Sequence, residues 1–250
     1  MKYAIGEIIL VVIGILIALQ INTWNENQKK KNLIRAYAAS LISDLQADIK
    51  EVKIIKGQIE KSIIRIDSLA NYVRAKQINE ISNLTLVPFS MGDYTYRPYS
   101  WNRATIDELK ISGALRHKGN ESLSAKIVSY DAFSKHLEED FTADSQMTAN
   151  VSRLADNIIN LNYSNFEELK FYMNTNNSIL EYDFSASEAY RKAEQENLKL
   201  LTDDINKINE LTNGCIKLRM FLSIRANGEL PRFLKQAEEI IDLLESNYIN

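Results

Sequence analysis

The sequence predicts an all-α protein. An N-terminal transmembrane helix continues into a long stalk helix, and an antiparallel helical bundle follows. Three observations predict it. The 250 residues include eight glycines and three prolines, and a chain this poor in backbone breakers favours long helices over a turn-rich sheet. Residues 3–21 form one apolar run, about 28 Å long as a helix at roughly 1.5 Å per residue, close to a hydrocarbon core of about 30 Å. Beyond it, apolar residues keep recurring at steps of three and four.

The anchor comes first, residues 1–23. A cleaved signal peptide has a shorter apolar region that ends in a small-x-small site. Here the run reaches Ile21 and leaves through Gln20, Asn22, Trp24 and Asn25. No cysteine follows to take a lipid. Trp24 suits the membrane interface, and Lys29, Lys30 and Lys31 suit the headgroup side beyond it. On a seven-residue repeat Glu7, Gly14 and Ile21 share a face, with Val11, Ala18 and Asn25 beside them. Gly14 and Ala18 make a small-xxx-small pair that lets a second helix approach closely. Glu7 is a carboxylate inside the run, and a charged form there is better placed against protein than against lipid. Glu7, Gly14 and Ala18 are therefore the expected membrane association face, and the chain is expected to self-associate.

The stalk, residues 24–76, carries Ile34, Tyr37, Leu41, Leu45, Ile49, Val52, Ile55, Ile59, Ile63, Ile66, Leu69 and Val73. Their mean step is about 3.55 residues, between a straight helix and a coiled-coil seam. Residues 77–104 break the pattern. Pro88, Gly92 and Pro98 mark a loop, and Tyr94, Tyr96, Arg97, Tyr99 and Trp101 cluster in it. That composition matches protein-binding surfaces, so these five are the candidate partner-binding residues. The competing expectation is a loop folded back over the end of the bundle, with tyrosine hydroxyls kept wet.

Residues 105–250 are expected to form the bundle and pack back on the stalk. Thr105 with Glu108 reads as a capping box and Gly113 as a helix stop. Asn120 can cap the next helix, whose stripe runs from Leu123 to about Leu161. Residues 162–186 are Asn-rich and irregular, with "ILEYDF" a possible short strand. Ser185 with Glu188 reads as another capping box. It opens a helix through Tyr190, Leu211, Cys215 and Leu222. Gly228 and Pro231 punctuate before a last helix with Phe233, Leu234, Ile240, Ile241 and Leu244.

Composition narrows the function classes. Net charge is -3. Residues 1–31 hold four lysines against two glutamates, a balance of +2, which leaves -5 for residues 32–250. A mildly acidic body argues against nucleic acid as partner, since phosphate recognition needs a clustered positive face. The single Cys215 excludes an internal disulfide and a cysteine-rich metal site. No Gly-rich phosphate loop or Gly-x-Ser-x-Gly elbow occurs. His136, Glu139 and Asp140 share a helix face and could offer three metal ligands. They are read instead as a solvated charged row, because three ligands on one helix rarely close a site. Cys215, on the apolar stripe, is read as core.

The stretch "AIGEIILVVIGILIALQINTWNE" resembles the signature of a Bacteroidota family of single-pass membrane proteins whose domain has no known function. The short "ELKISGALR" helix before a longer one is also typical of that family. The resemblance implies a body exported from the inner membrane to the periplasm, because members carry a basic leader before the span that holds their N-terminus inside. The local Lys29–Lys31 count points the other way. The expectation is a non-enzymatic scaffold or interaction protein with no cofactor and no metal. Its expected partners are the bilayer and further copies of itself, with another protein as a candidate. The alternatives are a ligand-sensing bundle working with a partner, and an oligomeric pore or effector subunit.

Overall fold

The computed structural model describes residues 2–90, 94–112, 121–169 and 187–249, with side chains in the first helix described from residue 10 onward. The described residues are helical or irregular, with no strand among them. Helix α1 is a single unbroken helix, Lys2–Arg74, so the expected anchor and stalk are one element. A 3-10 turn, Ile78–Glu80, leads to α2, Asn83–Ser90. Helices α3, Ala104–Ser112, and α4, Glu121–Ala155, follow. Next come α5, Glu188–Glu196, and α6, Ile205–Ile224. A π turn at Arg225–Glu229 joins α6 to α7, Leu230–Leu244, and a second π turn, Glu245–Ile249, follows.

Among the described residues, no helix is long and apolar enough to cross a membrane. The described part of the apolar run, residues 10–21, is about 18 Å of helix at roughly 1.5 Å per residue. The remainder, residues 3–9, lies outside the described side chains, and Glu7 with it.

The inward face of α1 is a strict seam. Ala38, Leu41, Leu45, Asp48, Val52, Ile55, Ile59, Ser62, Ile66, Leu69 and Val73 are all buried, and they alternate steps of three and four, a heptad pattern. Two seam positions are polar, so the sequence had suggested their apolar neighbours Ile49 and Ile63, which are only half-buried. Each polar group is satisfied. Tyr130 donates its hydroxyl proton to Asp48 Oδ2 at 2.8 Å, and Ser62 Oγ lies 3.1 Å from the Gln58 carbonyl and 3.3 Å from that of Thr95. A buried hydroxyl or carboxylate is tolerated when it is bonded in this way.

The chain divides into two compact units. The first comprises residues 1–47, 102–129 and 237–250. Its core includes Leu41, Leu45, Ile106, Leu109, Leu123, Ile127, Ile240 and Leu244. Thr105 donates to Asp44 Oδ2 at 2.6 Å, and Lys126 pairs with Glu239. Thr105 was expected as a helix cap, but it sits inside α3: the Asp107 amide already bonds the Arg103 carbonyl. Its hydroxyl is spent on Asp44 instead. Gly113 and Asn120 lie outside the described residues.

The second unit comprises residues 48–101 and 130–236 and is a helical bundle. Helices α4 and α6–α7 run antiparallel in it, because residue numbers fall on one as they rise on the other. Gly214 faces Val151 and Leu154, where an added Cβ would stand 3.3 Å and 3.4 Å from their methyls. Asp140 meets Arg225 further along, and Tyr130 stacks on Phe233 beyond that. Arg219 forms a two-pronged pair with Asp67 of α1, both bonds 3.0 Å.

Several local signals were overridden by tertiary structure. Pro88, expected in a loop, lies inside α2, a helix buried through Leu84, Leu86, Val87 and Phe89. The start of α2 is clasped by Asn83, which donates to the Asn160 carbonyl at 2.7 Å and accepts from the Asn160 amide at 2.8 Å. Helix α4 ends at Ala155 rather than near Leu161. Helix α5 is capped by Ser187, whose side chain accepts from the Tyr190 amide, so the cap lies two residues after the expected Ser185. Ser185 and "ILEYDF" lie outside the described residues. Gly228 and Pro231 do not interrupt the last helical run. The π turn before Pro231 bonds the Leu230 amide to the Arg225 carbonyl. That widened turn accommodates a proline, which lacks an amide and crowds the carbonyl four residues back.

Candidate functional site

Gly14 and Ala18 of the expected association face sit on an exposed stretch of α1. Every residue from Leu10 to Leu33 is exposed. Nine large apolar side chains of Leu10–Ile21 keep between 48% and 73% of their surface. Burying such a side chain fully is worth about 1.5–3 kcal/mol, so covering nine half-exposed ones offers roughly 10 kcal/mol. That is as large as the net stability of a typical domain. Gly14 and Ala18 are exposed, and a Cβ added at Gly14 would meet nothing within 4 Å. Beyond the run the polar exit stays helical. Thr23 bonds back to the Leu19 carbonyl at 2.9 Å, and Asn22 donates to Glu26 at 3.2 Å.

The aromatic loop is folded inward. Tyr94, Tyr96 and Tyr99 are buried, Trp101 is half-buried and Arg97 is exposed. Of the five candidate partner-binding residues, Arg97 alone is exposed, with 44% of its side chain open to solvent, and it pairs with Glu51. The backbone is pinned to α1, since the Arg97 amide donates to Gln58 Oε1 at 3.2 Å. The Tyr94 hydroxyl donates to the Phe89 carbonyl at 2.9 Å. Tyr96 and Tyr99 pack edge-on against Phe141, and Trp101 stacks on Tyr99 and lies 4.8 Å from Phe233. Burial pushes all three tyrosine hydroxyls well above their ordinary pKa, because desolvation disfavours the charged form.

Beneath this aromatic layer lies a buried charge cluster. Helix α4 places His136, Asp140 and Asp144 on one face at successive steps of four. The π turn places Arg225 and Glu229 opposite them. Arg225 donates from Nε to Asp144 Oδ2 at 3.2 Å and from Nη1 to Glu229 Oε2 at 2.7 Å, and its Nη2 is ion-paired with Asp140 Oδ1 at 2.9 Å. The Tyr96 hydroxyl donates to the same Asp144 oxygen at 2.8 Å. His136 Nε2 lies 3.2 Å from Asp140 Oδ2 and 3.6 Å from Glu229 Oε1. The Arg225 and Asp144 side chains are only 7% and 2% exposed.

Three carboxylates therefore share one guanidinium. Burial raises the Asp140 pKa; Arg225 opposes the rise, Glu229 adds to it, His136 opposes it and Asp144 adds to it. For Arg225, burial disfavours the charge, but the bond to Glu229 and the charges of Asp144, Glu229 and Asp140 outweigh that and hold it protonated. Glu139, expected to share the face with His136 and Asp140, is exposed, and Glu229 stands in the third place. Cys215 is buried in the core, as its stripe position suggested, and burial pushes its thiol up to about 12.

Residues 7–129 match the model of a family of unknown function, DUF6090. No curated protein and no solved structure matches the chain. The DUF6090 match contains the described apolar run, the aromatic loop and α3 with its "ELKIS" sequence. It ends inside α4, before His136. The charge cluster therefore lies wholly outside it.

Proposed function

We propose that this chain is a membrane-anchored, non-enzymatic interaction protein that self-associates through its first helix. The observation that carries the reading is the bare apolar segment Leu10–Ile21, whose side chains no other part of the described chain covers. With residues 3–9, also apolar apart from Gly6 and Glu7, the run is long enough for a bilayer. Lipid hydrocarbon supplies the cover that water does not. Gly14 and Ala18 leave a shallow groove along one side of that helix, and a second copy with the same groove can approach backbone to backbone. Glu7 then takes a hydrogen bond from the neighbouring helix rather than facing lipid. The remaining helices form the working body, held in the periplasm in line with the family resemblance, with the inner membrane as its site. Its role is to scaffold or bind another protein.

Alkaline carbonate extraction of native membranes tests the anchor. Full-length protein stays in the membrane pellet, and a variant lacking residues 1–23 is released with its helical content intact. Release of the full-length chain by carbonate overturns the reading.

A further inference from the structure

We propose that His136, Asp140 and Glu229 form a binding site for one divalent transition-metal ion of the zinc class, with Arg225 as the residue that orients both carboxylates. The three ligand atoms, one nitrogen and two oxygens, lie within 4.8 Å of one another. Ligands around a tetrahedral zinc ion stand about 2.0–2.1 Å from the metal, so the edges of that tetrahedron are roughly 3.4 Å. The separations from His136 Nε2 to the two carboxylate oxygens, 3.2 Å and 3.6 Å, bracket that edge.

The orientation of the carboxylates supports the same reading. Asp140 gives Oδ1 to Arg225 and turns Oδ2 toward His136; Glu229 gives Oε2 to Arg225 and turns Oε1 toward His136. Each acid is thus held by one oxygen and presents the other, the arrangement of outer-shell partners around metal ligands. Asp140 Oδ2 is buried and accepts no aligned hydrogen bond, although Nε2 is close. Two ligand atoms in near contact without hydrogen-bond alignment are expected where both point at a third centre. Behind them Asp144, almost fully buried, keeps Oδ1 without a hydrogen-bond partner. With His136 neutral, three carboxylates against one guanidinium leave a charge of -2 that a divalent ion cancels. His136 is half-exposed, which leaves an entry path for the ion, and its ring stacks on Phe133 at 6.0 Å.

Zinc titration of the full-length, chelator-stripped protein in detergent tests the site, read by calorimetry and by the visible absorption of cobalt substituted for zinc. One ion per chain is expected, with micromolar or tighter affinity and cobalt bands of four-coordinate intensity. His136→Ala weakens binding at least tenfold and removes those bands. Glu139→Gln, on the exposed side of the same helix, leaves both unchanged. Melting of His136→Ala in chelator, where no metal contributes, matches wild type and separates lost binding from lost fold. Absence of saturable uptake, or uptake unchanged by His136→Ala, overturns the proposal. An equal loss in Glu139→Gln also overturns it.

Discussion

Arg225→Met removes the guanidinium at the centre of the charge cluster and keeps most of its volume. Wild-type Arg225 makes three ion pairs of 2.7–3.2 Å while its side chain is 7% exposed. Without it, Asp144 at 2% exposure keeps the Tyr96 hydroxyl as its partner and loses its counter-charge. Breaking a buried ion pair from one side costs about 3–5 kcal/mol, because the remaining charge is stranded in low dielectric. At about 2–4 °C per kcal/mol for a chain of this size, Tm falls by roughly 6–20 °C. Adding Asp144→Asn removes the stranded charge and keeps an acceptor for Tyr96, so the double variant recovers about 1–3 kcal/mol, a coupling typical of residues in direct contact. Arg225→Lys is also destabilising, since an ammonium cannot reproduce a three-way planar fork. Thermal unfolding followed by circular dichroism, with all variants in one detergent, reads the series. Loss below about 1 kcal/mol in Arg225→Met, a range typical of exposed pairs, would show that these charges are hydrated.

Tyr96→Ala should cost about 3–5 kcal/mol, the range for deleting a buried aromatic, whereas Arg97→Ala, at an exposed pair, should cost less than about 1 kcal/mol; urea unfolding compares them, and equal costs would contradict the inward packing of the loop. Native Cys215 should resist iodoacetamide at pH 8 and react once unfolded in urea. Its thiol ionises near 9.0 when unfolded and at about 12 when folded, so burial adds no penalty below pH 9 and stability falls as pH rises from there toward 12. At pH 10.5 wild type should have lost roughly 2 kcal/mol more than Cys215→Ala, at about 1.4 kcal/mol per unit, and equal losses would refute a buried thiol. A C-terminal alkaline phosphatase fusion should be active in cells if the body is exported; activity from a cytoplasm-restricted reporter at the same junction would reverse the orientation.

The long first helix was legible because nothing interrupts it: no proline precedes Val87, and apolar residues keep a step of about 3.55 residues. The seam itself was partly misread at Asp48 and Ser62, whose polarity hides positions that are buried only because Tyr130 and the Thr95 carbonyl come to meet them. Local signals failed where distant partners decide the outcome. Thr105 has the composition of a cap but serves Asp44, and Pro231 has the composition of a stop but is absorbed by a π turn. The aromatic loop was visible as composition, but whether it faces in or out depends on Phe141, Phe233 and Asp144, all far away in sequence. The charge cluster was least legible. His136, Asp140 and Asp144 at steps of four resemble a surface row. What makes them a cluster is Arg225 and Glu229, brought there by a π turn that the sequence does not announce. Glu139 is an ordinary surface acid, whereas Asp144, one turn further along the helix from Asp140, is buried.

In-membrane disulfide crosslinking along the first helix tests self-association most directly. Single cysteines are placed at each position from Leu10 to Ile21 in a Cys215→Ala background and oxidised in native membranes. If copies pack through the small-residue groove, dimer yield peaks at Val11, Gly14, Ala18 and Ile21 and falls to a minimum at Val12, Leu16 and Leu19 on the opposite side. Because Gly14 has open space around it within one chain, Gly14→Ile should lower the yield at Ala18 severalfold without changing the melting temperature. Flat yields along the helix, or yields at Ala18 that Gly14→Ile leaves unchanged, would contradict association through this face.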